Sequence, residues 1–139
     1  MRSLMLVCLV GLGVGLGACT PTPAETARAA QAAQATQIRL DKALSGLTRG
    51  ATSSCIPIGY ENSQIAAYGP TILYKVGRGL VYRTDTAGGC ENIARGDILV
   101  SKQVQGRPCS GDIATTVDRT SGTVTGSCSF GDFTAYRRP

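Results

Sequence analysis

Hydrophobic and polar positions divide the chain into three unlike stretches. Leu4 to Leu16 is an apolar run of about 13 residues behind the positive start Met1-Arg2. It is too short to span a bilayer as a stable helix. From Thr22 the composition turns to Ala, Gln and Arg, with Leu40, Leu44 and Leu47 spaced at i, i+4 and i+7. From Cys55 to Pro139 the period becomes an alternation rich in β-branched residues, the pattern of strands.

The middle stretch predicts one helix over about 23–46. Thr22-Pro23-Ala24-Glu25 has the capping-box spacing with Pro at the first helical position, and Gly46 is a C-terminal stop. Ala, Gln and Arg favour helix intrinsically, but only the three leucines form an apolar stripe. Pro21 to Gln37 therefore reads as a solvent-exposed spacer that lifts a domain from a membrane, and Ile38 to Leu47 as the part that docks. No a/d heptad is sustained, which argues against a coiled coil. Thr48 to Ser54 reads as a polar hinge.

In the third stretch the expected strands are Cys55 to Ile58, Gln64 to Tyr68, Thr71 to Val76, Leu80 to Asp85, Ile98 to Val104, Asp112 to Asp118 and Val124 to Ser129. The clearest hairpin joins the third and fourth through Gly77-Arg78-Gly79, with Tyr74 facing Tyr82 and Val76 facing Leu80. Tyr74 and Tyr82 are either half-buried core residues or, with Arg78, an exposed ligand platform. The fold expected is mainly β, a small antiparallel meander or partly closed barrel, preceded by the Ala-rich helix.

Composition narrows the chemistry. With 139 residues, 18 glycines, no Trp and 5% aromatics, the core must be small and in need of covalent support. Histidine is absent, which removes the commonest general base, the commonest metal ligand and every Ser-His or Cys-His nucleophile. No catalytic residue, metal site or cofactor is expected. A carboxylate pair such as Asp97 and Asp112 remains as a formal enzymatic alternative. The net charge of +5, about +4 once Arg2 is removed, comes from cations spread along the chain, and no nucleic-acid partner is expected. The glycines of Gly11 to Gly17 lack the strand, helix and acidic partner of a nucleotide loop, and Arg95-Gly96-Asp97 reads as a turn.

Leu16-Gly17-Ala18-Cys19 closes the first stretch and resembles the box of bacterial lipoprotein signal peptides, in which a peptidase cuts before Cys and lipid is attached to its sulfur. The resemblance implies a removed signal over 1–18, lipid on Cys19, a tether over 19–54 and a β domain over 55–139. Thr20 after Cys19 resembles lipoproteins sorted to the outer membrane, at its periplasmic face. Cys8 leaves with the signal, so Cys55, Cys90, Cys109 and Cys128 form an even set, expected as two disulfides in an exported protein. Three pairings exist. In a sequential meander Cys90 and Cys109 flank a strand roughly 23 Å long and cannot bond, which favours Cys55 with Cys90 and Cys109 with Cys128.

The four cysteines, Cys109-Ser110-Gly111-Asp112 and Cys128-Ser129-Phe130-Gly131-Asp132-Phe133 together resemble a domain-of-unknown-function family of small exported proteobacterial proteins, many of them lipoproteins. That family carries no known activity. Asp112 reads as a carboxylate capping backbone N–H groups beside Cys109. The expectation is a lipid-anchored, non-enzymatic module that binds an envelope protein or cell-wall partner or supports the envelope. The alternative is an inhibitor or sensor of a cell-wall hydrolase or anionic envelope ligand.

Overall fold

The computed structural model describes residues 20–57, 59 and 63–139. The expected signal peptide, the lipid-bearing Cys19 and Ile58 lie outside them. Among the described residues, helix α1 (Pro23–Leu44) is followed by strands β1 (Thr48–Ser53), β2 (Gln64–Tyr68), β3 (Thr71–Val76) and β4 (Leu80–Thr86). A 3₁₀ turn (Glu91–Arg95) then leads to β5 (Ile98–Ser101), β6 (Ile113–Val117) and β7 (Val124–Arg137). The seven strands form one curled half-barrel sheet, antiparallel throughout. No described helix is long and apolar enough to cross a membrane.

α1 starts as its sequence dictates. The Thr22 hydroxyl accepts from the Glu25 amide at 3.2 Å, and the Glu25 carboxylate takes the Thr22 amide at 2.7 Å, a reciprocal cap with Pro23 in the first turn. The helix ends at Leu44, two residues before Gly46. Leu40 is buried with Leu73 and Val81, and Ala43, Leu44, Leu47, Tyr68 and Tyr136 pack around them. The leucine stripe therefore docks as read, whereas Ile38 is 62% exposed.

Strands β2 and β3 fall where the alternation places them, and the β3–β4 hairpin has the expected register of Tyr74 on Tyr82 and Val76 on Leu80. The strand order departs from a sequential meander. It runs β2-β3-β4-β7-β6-β5, so β4 pairs with β7 and not with β5, while β1 also pairs with β7. The 14-residue β7 is the spine, joined to β6 over Val124–Ser129 and to β4 over Phe130–Arg137.

β7 continues eight residues past its expected end because a bulge breaks the alternation. Gly131 and Asp132 together oppose Asp85, between the pairs Thr86 with Phe130 and Thr84 with Phe133. A β-carbon on Gly131 would lie 2.6 Å from the Asp85 carbonyl oxygen, so glycine permits this close approach. The extra residue returns Phe133 to the face already occupied by Phe130. Both are buried, and with Tyr74 they form three edge-to-face pairs with ring centroids 5.8–6.3 Å apart.

β1 occupies the stretch read as a hinge, and all six of its residues are exposed. Its pairing with β7, including a 2.9 Å contact between the Thr52 and Thr134 hydroxyls, makes it a strand without any apolar period. Of the strand expected over Cys55 to Ile58, the described residues 55–57 form one isolated bridge, between Cys55 and Cys109.

The disulfides are Cys55–Cys109 and Cys90–Cys128, which corrects the pairing favoured by a meander. Because Thr86 lies opposite Phe130, the chain leaving β4 carries Cys90 to Cys128 on the neighbouring strand, with Cα atoms 5.6 Å apart. Cys55 follows β1 along the other edge of β7 and meets the approach to β6. There Ile56 donates to Pro108 at 3.1 Å and Ser110 to Ser54 at 2.6 Å. Among the described residues, both hydrophobic clusters and both disulfides lie between Leu40 and Tyr136.

Candidate functional site

The expected aromatic platform does not form. Tyr74 is 2% and Tyr82 6% exposed, because their face of the hairpin looks into the core formed with Ile72, Phe130 and Phe133. Arg78 alone is exposed, at the tip of the turn. The half-barrel curls this face inward, while α1 covers the opposite face through Leu73 and Val81.

The two acidic candidates are also kept apart. Asp112 accepts the Cys109 amide at 2.9 Å, the cap expected from its sequence. Asp97 accepts the Thr125 hydroxyl. Asp112 precedes Ile113 at one end of β6, while Asp97 precedes Ile98, which pairs with Val117 at the other end. Four residues of strand separate those ends by about 13 Å. The pair does not converge on a shared proton or water.

What the fold does bring together is positive charge. α1 runs alongside β3 in the same direction. Thr36 lies by the β2–β3 turn, within 3.6 Å of where a Gly69 β-carbon would be, Leu40 rests on Leu73, and Ala43 and Leu47 reach the β3–β4 turn. Two adjoining recesses open beside the second half of α1, one reaching back to Tyr68 and the other out to the β3–β4 turn. One of about 360 Å³ is lined by Arg39, Lys42, Ala43, Tyr68 and Lys75. Its neighbour, about 220 Å³, shares Ala43 and Lys75 and adds Arg78 and Arg138 among its lining groups. No carboxylate side chain lines either. The Arg39 guanidinium stacks 5.8 Å over the Tyr68 ring, a contact that leaves its charge in place.

These five cations are scattered over a hundred positions of sequence, so charge runs give no sign of them. Their convergence follows from three contacts: α1 on β3, the tight β3–β4 turn, and the Arg138 amide bonded to the Gly79 carbonyl at 2.9 Å. Three other cations have local partners. Arg83 forms a 3.1 Å ion pair with Asp85, the only one among the described residues. Partial burial opposes the Arg83 charge, yet its bonds to Asp85 and attraction to Asp85 and Tyr136 outweigh it and hold its pKa above the ordinary value. Arg119 donates to the Gly96 carbonyl at 2.6 Å, and Arg95 to Asn92.

No family model, curated protein or solved structure matches the chain.

Proposed function

We propose that this chain is an exported lipoprotein: residues 1–18 are a signal peptide, Cys19 carries the lipid, and the half-barrel is a non-enzymatic binding module at the periplasmic face of the outer membrane. The observation that supports this reading is the form of α1. Every residue from Thr22 to Ala35 is exposed, while Leu40 is buried. The first nine residues of the helix, Pro23 to Gln31, thus extend about 13 Å in the open before Ala32 and Ala33 meet the β2–β3 turn. A capped, rigid extension that begins three residues after Cys19 suits a spacer between a membrane anchor and a folded domain.

Metabolic labelling with palmitate tests the anchor. Label in the wild-type chain and none in Cys19→Ala, with a shift of the variant out of the detergent phase, supports the reading; an unlabelled wild-type chain overturns it. The alternative, an inhibitor or sensor of a cell-wall hydrolase or anionic envelope ligand, loses the exposed Tyr74 and Tyr82 surface that favoured it. Recognition of an anionic envelope ligand is favoured by the cationic recesses.

A further inference from the structure

We infer that the end of the domain formed by the β3–β4 turn and the last turns of α1 is a docking surface for a carboxylate-bearing polymer of the cell wall, the peptide-substituted glycan that faces the periplasmic side of the outer membrane. Arg39, Lys42, Lys75, Arg78 and Arg138 line its two adjoining recesses, and no acidic side chain does. Lys42 alone is accounted for by the negative end of the helix dipole, which fades beyond the last turn. Lys75 on β3, Arg78 on the turn and Arg138 after β7 are not. Like charges held together repel one another, and an anionic partner offsets that repulsion.

Direction selects the polymer over the membrane. α1 enters past the β2–β3 turn and ends at the β3–β4 turn, so its exposed start and the recess of Lys75, Arg78 and Arg138 lie at opposite ends of a helix about 33 Å long, with Arg39 and Lys42 along its second half. A chain held by Cys19 therefore presents these cations away from the bilayer. This choice of partner rests on the proposed lipoprotein reading, but binding by the soluble unit does not. Exposed cations on a rigid turn and helix end give salt-sensitive attachment to a repetitive anionic polymer without a deep pocket.

The test is cosedimentation of residues 20–139 with purified sacculi, with sacculi whose carboxylates have been converted to amides, and with phosphatidylglycerol vesicles. Expected are binding to native sacculi that is lost at high salt, loss on amidation, and weaker binding to vesicles. Each exposed cation neutralised should weaken binding about threefold, and Lys42→Gln with Arg78→Gln about tenfold, with an unchanged melting temperature. Arg95→Gln and Arg119→Gln, beyond the other end of β4 and β7, should leave it unchanged. Equal binding to amidated sacculi, preference for the vesicles, no sacculus binding, or equal loss in the two pairs of variants would each overturn the inference. Palmitate labelling of Cys19 is read separately, so either conclusion can fail without the other.

Discussion

Gly126 runs so close to Gly89 that a β-carbon on Gly126 would sit 2.0 Å from the Gly89 carbonyl oxygen. This is where the segment after β4 crosses the start of β7, two residues from the Cys90–Cys128 disulfide. Gly126→Ala must push backbone from backbone. The expected cost is about 1–3 kcal/mol, read as a lower urea midpoint, whereas Thr123→Ala on the adjoining exposed turn should stay within about 0.5 kcal/mol. Equal midpoints for the two variants would contradict the crossing.

Strand order and disulfide pairing stand or fall together. Non-reducing peptide mapping should recover Cys55 with Cys109 and Cys90 with Cys128. Replacing Cys90 and Cys128 together by Ala opens a loop spanning 38 residues and should cost about 4 kcal/mol by the chain-entropy relation. Recovery of Cys55 with Cys90 would restore the sequential meander.

The helix should respond unevenly to truncation. Leu40→Ala removes the buried contact with Leu73 and Val81 and should cost about 2–5 kcal/mol in urea unfolding. Gln31→Ala, on the exposed extension, should change stability by no more than about 0.5 kcal/mol. Comparable losses at both positions would mean that the first half of α1 is packed.

The cap of α1 has its own acid limit. The backbone bond from Thr22, then that from its hydroxyl, lowers the Glu25 pKa from the ordinary 4.5. A depressed carboxylate stabilises the capped state above its unfolded pKa, and that contribution is lost as pH falls through the folded value. The first turn should fray below about pH 4.5, seen in the ¹³Cα shifts of Ala24 to Arg28. Glu25→Gln should remove that pH dependence. An unchanged acid transition in the variant would sever it from the cap.

Local signals made part of this fold readable in advance. The cap at Thr22, the leucine stripe and the β3–β4 register depend on neighbours a few residues apart, and they formed as expected. β1 could not be seen, because its exposed polar residues become a strand only through β7. The bulge at Gly131 and Asp132 hid the rest of β7 by moving the second phenylalanine from i+2 to i+3. With β7 shortened, nothing separated β4 from β5, and the wrong cysteines faced one another. The cationic recesses were illegible for the same reason: Lys75, Arg78 and Arg138 line one recess through tertiary pairing alone.

The central claim concerns Cys19. Mass spectrometry of the protein extracted from membranes should find an N-terminal peptide that starts at Cys19 and carries the mass of attached diacylglycerol and fatty acid. A mature chain that retains residues 1–18, or one that starts at Cys19 with an unmodified thiol, would contradict the account.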